Sequence, residues 1–245
     1  MMVKGPTTTF LRSMELATSA PEVGYPFDLP AVVGLDDIRF GQVTILVGAN
    51  GSGKSTIVEA VATTAGLNAE GGSTNLRFAT HSTHSSLGDH LSLRWAKRPS
   101  WGWFLRAETF YGMATHITRD TGFGVASMFP DLHSSSHGES FLSLIESRFA
   151  RQGFYVMDEP ESALSFQGQL RLLRVIHDGM ADGSQYVIAT HSPLLMRMPG
   201  ATIYELGPEG IHRRDYEELT VVNLWRRFLD APETILETLF ADDDD

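Results

Sequence analysis

The eight residues Gly48-Ala-Asn-Gly-Ser-Gly53-Lys54-Ser55 constrain this chain more than any other stretch. They match G-x-x-x-x-G-K-[ST] in full. They lie between a β-branched run, Gln42–Val47, and a segment with apolar residues at Ile57, Val58, Val61 and Ala62. That order reads as buried strand, glycine turn and helix. Glycines let the backbone curl until successive N–H groups point at one anion. The following helix presents its positive dipole end to the same place. Lys54 adds a mobile positive charge for the outer phosphates, and the Ser55 hydroxyl is a ligand for Mg²⁺. Glycine makes up about 7% of ordinary sequence, so two glycines at one fixed spacing coincide at about 0.5% of positions. Lysine and serine in place lower that further. Asn50, Gly51, Ser52, Gly53, Lys54, Ser55 and Thr56 are therefore the expected nucleotide-binding residues.

A second stretch, Phe154-Tyr-Val-Met-Asp158-Glu159, is an apolar strand that ends in two carboxylates. Ligands of open α/β sheets sit at the carboxyl ends of strands. Asp158 is expected to hold Mg²⁺ with Ser55, and Glu159 to act as general base on the attacking water. The bland alternative is an acidic turn before Pro160.

The rest of the pattern supports an α/β class. Expected strands are Thr7–Leu16, Leu91–Trp95, Trp103–Arg106, Phe154–Met157 and Gln185–Ala189, with a hairpin at Thr202–Tyr204 and Ile211–Arg213 near the end. Helices are expected over Lys54–Ala65, from Glu108, through Phe141–Phe149, over Leu164–Met180, and near Glu217–Leu229 and Pro232–Phe240. Strands alternating with helices argue a mostly parallel, helix-covered sheet. The expected organisation is one domain over 1–241, a helical and coupling region within 90–150, and an acidic tail at 242–245.

Composition excludes several classes. The chain has 245 residues, 42% of them apolar, and no cysteine. Disulfide frameworks and thiolate metal sites are ruled out. No apolar run is long enough to span a membrane, and the first residues lead into no secretory core, so a cytoplasmic location is expected. A net charge of −11 argues against nucleic-acid binding by bulk electrostatics.

Together these residues resemble the ABC-type ATPase family. Phe154–Ser165 resembles its Walker B strand and the D-loop after it. Ser136-His-Gly138-Glu139 resembles the signature motif, usually Leu-Ser-Gly-Gly-Gln, with His137 in place of the first glycine and Glu139 in place of glutamine. Thr190-His191-Ser192-Pro193 resembles the switch-histidine loop. The resemblance runs from Thr44 to Pro193 and is to compact, stand-alone bacterial ATPases of this superfamily. It implies a P-loop fold with a mostly parallel sheet, an antiparallel β edge and a small helical signature subdomain. It also implies Mg²⁺-dependent ATP hydrolysis in a head-to-tail homodimer with ATP sandwiched between the subunits. Ser136 and Gly138 would then complete a partner's site, and His191 would contact the γ-phosphate. The alternative for Ser136–Glu139 is a plain Ser-x-x-Glu capping box. The coupling-loop glutamine has no match; Glu108 is the candidate in its place. Tyr25 or Phe27 is the candidate aromatic for adenine, with a core role as the alternative.

Two other clusters carry less. His81, His84 and His90 lack a zinc-site spacing. Trp95, Trp101 and Trp103, interleaved with Arg94, Lys97 and Arg98, are the one place to look for a nucleic-acid or protein partner. Three functional alternatives stay open: an ABC transporter's ATP-binding subunit, a short DNA-repair ATPase (RecF-like or SMC-like), and a nucleotide-binding scaffold that does not hydrolyse.

Overall fold

The structure, a computed structural model, describes residues 10–35, 38–69, 85–107 and 137–241; for His137 it describes the backbone alone. Glu108, Ser136, His81, His84, the helix expected from Glu108 and the tail 242–245 lie outside the described residues.

Among the described residues nine strands form two sheets. The smaller is antiparallel, in the order β2 (Ile38–Arg39), β1 (Leu11–Leu16), β4 (Leu91–Trp95). The larger has the order β5 (Gly102–Arg106), β6 (Phe154–Asp158), β7 (Gln185–Ala189), β3 (Val43–Gly48), β8 (Thr202–Gly207), β9 (Gly210–Arg214). Its first five strands are parallel and β9 is antiparallel to β8.

The central strands are largely apolar because both sheet faces are covered. Side chains alternate across them with period two. Leu46, Phe154, Val156, Val187 and Ala189 enter one core, with Ile57, Val58 and Val61 of helix α2 (Lys54–Thr64) and Leu11 and Met14 of β1. The short helix α1 (Pro30–Val33) adds Ala31 and Val32 to it. Ile45, Val47, Tyr155, Met157, Tyr186 and Ile188 enter the other core. There they meet Phe141 and Ile145 of α3 (His137–Arg148) and Leu172 and Ile176 of α4 (Phe166–Ala181). Helix α2 thus packs between the two sheets. After it come α5 (Pro193–Met196), α6 (Thr220–Asp230) and α7 (Pro232–Ala241).

Two helix starts and the pairing of one strand differ from those expected. The helix expected from Leu164 starts at Phe166. A 3₁₀ turn over Pro160–Ala163 precedes it, and the Ser165 hydroxyl caps it by accepting from the Gly168 amide at 3.2 Å. The helix expected from Glu217 starts at Thr220, after a turn at Tyr216–Glu218. Thr202–Tyr204 is more than a hairpin arm, because β8 also pairs parallel with β3.

Candidate functional site

The carboxyl ends of β3, β6 and β7 bring the sequence-predicted groups together. The loop after β3 is possible only with glycine. Gly48 has φ 152°, and a Cβ there would lie 2.4 Å from the Leu206 carbonyl oxygen. Gly53, at φ 97°, is the residue before α2 and aims that helix's first amides into the loop. Asn50 and Gly51 are exposed at the tip. The Ser52 hydroxyl is buried with no hydrogen-bond partner among the described residues. Lys54 is 4% exposed, and its ammonium donates to the carbonyls of Gly48 at 2.9 Å and Ala49 at 3.0 Å. Burial lowers its pKa, against the opposing charges of Glu159, Asp158 and Glu161.

Ser55 and Asp158 meet across the site. The Ser55 hydroxyl donates to Asp158 Oδ1 at 2.9 Å. Asp158 is buried at the end of β6, where β5 sets Arg106 beside it in register. Arg106 Nε lies 3.5 Å from Asp158 Oδ2, and its Nη1 donates to Glu59 Oε2 at 2.7 Å. Strand pairing could have revealed Arg106; spacing in the sequence could not.

Glu159 takes φ 47° and ψ 52°, and it is the one non-glycine with positive φ among the described residues. Its amide donates to the Ala189 carbonyl at 2.9 Å. This left-handed turn costs about 1 kcal/mol or more, a strain typical of functional positions. It carries the carboxylate to 3.4 Å from His191 Nε2, at the end of β7. Glu161, two residues on, accepts from the amides of His191 and Ser192. Sequence reading missed Glu161, since nothing in its spacing pointed to the switch loop.

The two aromatic candidates separate. Phe27 is 5% exposed in the core, edge-on to the His90 ring. Tyr25 is 68% exposed, and its hydroxyl is 2.9 Å from the Thr56 hydroxyl, beside the phosphate loop. Gly138 starts α3 and faces the 160–163 turn, where a Cβ would come within 3.1 Å of the Ala163 carbonyl. The tryptophan cluster is not an open stacking platform. Arg98 lies over Trp95, Arg151 over Trp101 and Arg148 over Trp103, which is itself 4% exposed.

The donor set fits a triphosphate and a divalent cation. An ammonium, a buried orphan hydroxyl and helix-start amides face one loop. A hydroxyl and a carboxylate sit within one hydrogen bond of each other, as two ligands of Mg²⁺ are placed. Among the described residues no group of three or more His, Asp or Glu forms a separate metal cluster.

Sequences related to this chain include two from Rhodopseudomonas palustris, both named cytochrome c biogenesis ATP-binding export protein CcmA. The one from strain HaA2 is 32% identical over 172 residues, covering 66% of this chain and 84% of that protein. The one from strain BisB18 is 30% identical over 176 residues, with the same coverage. Among solved structures, the SMC head domain from Thermotoga maritima aligns with a TM-score of 0.46 at 17% identity, over 84% of this chain and all of that one. No family model matches the chain.

Proposed function

The chain belongs to the ABC-type ATP-binding protein family, and from that premise we propose that it works as an Mg²⁺-dependent ATPase switch, assembled as a nucleotide-sandwich dimer of single-domain subunits. The observation that carries this reading is the meeting of Ser55 and Asp158, which are 103 residues apart in the chain and 2.9 Å apart in space. It brings the phosphate loop and the acidic strand end into one site.

In this mechanism the amides after Val47, with Lys54, cradle the β- and γ-phosphates. Binding draws the Lys54 ammonium off the loop carbonyls, and the incoming negative charge offsets its burial. Ser55 and Asp158 would hold Mg²⁺, which when bound supplies positive charge against the triphosphate. Glu159 accepts the proton of the attacking water. His191, within reach of the Glu159 carboxylate, orients that water and meets the γ-phosphate. Tyr25 offers its exposed ring to adenine. Ser136, together with Gly138 in the first turn of α3, would complete the partner's site, and Glu108 would reach Mg²⁺ or the attacking water. The subunit would act in the cytoplasm; among the described residues no helix is long and apolar enough to cross a membrane.

Glu159→Gln tests the dimer. Removing the base slows hydrolysis and traps the ATP-bound pair. Size-exclusion chromatography with light scattering should show a dimer of this variant with Mg·ATP and a monomer without it. A monomer under both conditions would refute the sandwich.

A second reading, the ATP-binding subunit of a transport complex, is favoured by the export function in the relatives' names. It is favoured too by the exposed apolar side chains of α6 and α7: Leu224, Trp225, Phe228, Leu229, Leu239 and Phe240. Co-purification with a membrane fraction separates it from the stand-alone switch. The DNA-repair reading gains nothing from the arginine-covered tryptophans or the net charge of −11.

A further inference from the structure

We infer that Glu161 is a positioning residue that latches the switch loop to the acidic turn and so sets where His191 meets Glu159. The inference rests on the ATPase reading above. Glu161 sits in the 3₁₀ turn Pro160–Ala163, directly after the strained Glu159. One of its oxygens, Oε1, accepts from two successive amides, His191 N at 2.5 Å and Ser192 N at 3.1 Å. A carboxylate taking two backbone N–H groups makes charge-assisted bonds, roughly twice as strong as neutral ones. The bonds close a short ring. Glu159 is tied to β7 through its amide on the Ala189 carbonyl. Two residues further along each segment, Glu161 ties the turn to the loop that follows β7. The His191 ring and the Glu159 carboxylate, 3.4 Å apart, lie between these two fastenings.

The other contacts of the loop show that Glu161 is the part facing the acids. The Ser192 hydroxyl donates to Gln169 Oε1 of α4 at 2.6 Å, and the Ser192 amide also reaches Thr190 Oγ1 at 3.0 Å. The Gln169 bond holds Ser192 from the helix side. The His191 amide is held by Glu161. A movement of the 160–163 turn therefore moves His191, and Gly138 of α3 packs against that same turn. Glu161 acts through the backbone of His191 and does not itself touch substrate.

Three variants separate geometry from charge. Glu161→Ala removes the acceptor. Glu161→Asp keeps the charge felt by Lys54 but withdraws the oxygens from the amides. Glu161→Gln removes the charge and keeps an acceptor oxygen. Steady-state ATPase kinetics and amide hydrogen exchange at His191 and Ser192 are the readouts, with a thermal melt of each variant. We expect Ala and Asp to raise exchange at both amides by about tenfold or more. They should lower kcat by about 10- to 100-fold with KM nearly unchanged. Gln should retain most of the rate. In a His191→Ala background Glu161→Ala should cause no further loss. Unchanged exchange, or the same fold-loss with and without His191, overturns the latch. If the wild type hydrolyses no ATP, the functional reading fails, and the exchange measurement still decides whether Glu161 holds the loop.

Discussion

Arg106 stands in register with Asp158 on the neighbouring parallel strand and approaches its carboxylate to 3.5 Å, while donating to Glu59 at 2.7 Å. The three side chains are 21%, 7% and 13% exposed for Arg106, Asp158 and Glu59. Removing the cation takes a charged partner from each of two largely buried acids. Arg106→Met should destabilise the fold by about 3 kcal/mol, read from the midpoint of urea unfolding. A midpoint within error of wild type would show that other groups neutralise the pair.

Ser55→Ala deletes the hydroxyl that meets Asp158 and leaves Lys54 and the loop amides in place. Calorimetric titration in EDTA should give an ATP affinity close to wild type. The gain in affinity on adding Mg²⁺ should fall by about tenfold, the worth of one lost ligand at about 1.4 kcal/mol. An undiminished Mg²⁺ effect would take Ser55 out of the cation site.

Gly179 of α4 leaves room for a tyrosine. A Cβ at this position would stand 1.9 Å from the Tyr186 hydroxyl. Tyr186 cannot retreat, because it is fully buried and stacked on Tyr155 at 5.3 Å. Alanine improves helix propensity by about 1 kcal/mol, whereas overpacking costs about 1–3 kcal/mol. Gly179→Ala should therefore be destabilising by about 1 kcal/mol. Tyr186→Phe in the same chain should restore the loss, since it removes the oxygen that the new methyl would meet.

Tyr155 and Tyr186 also set an alkaline limit. Burial, the largest cause for each, raises both phenol pKa values above the ordinary 10.0. Below that ordinary value both are neutral, folded or unfolded, and stability is unaffected. Above it the unfolded chain ionises first and binds fewer protons, so stability falls as pH rises. The loss is up to about 1.4 kcal/mol per pH unit for each tyrosine. Phenolate absorbance followed from pH 9 to 12 should show these two groups ionising together with unfolding, seen by circular dichroism. Ionisation with the fold intact would contradict their burial.

Much of the candidate site was legible in the sequence. The phosphate loop, the acids that end β6 and the histidine that ends β7 are each a local run bounded by an apolar strand. What reached across the chain was not legible. Arg106 matters because β5 pairs with β6, and parallel pairing leaves no mark at a fixed spacing. Glu161 looked like one more residue of an acidic turn until its carboxylate was seen on the amides of His191 and Ser192. Buried Gln185, which exchanges hydrogen bonds with the Leu11 backbone and donates to the Gly41 carbonyl, stitches the small sheet to the large one. On paper it was the polar start of a strand. Tyr25 and Phe27 have similar chemistry, and only packing distinguishes the exposed ring from the core one.

Phosphate release with Mg·ATP, measured side by side for the wild type, Lys54→Ala and Glu159→Gln, decides whether the phosphate loop and the acidic strand end form one hydrolytic site. The wild type should turn over steadily. Both variants should be slowed at least about a hundredfold, with ATP affinity lost in Lys54→Ala and kept in Glu159→Gln. Equal rates in all three proteins, or tight ATP binding by Lys54→Ala, would contradict that single site.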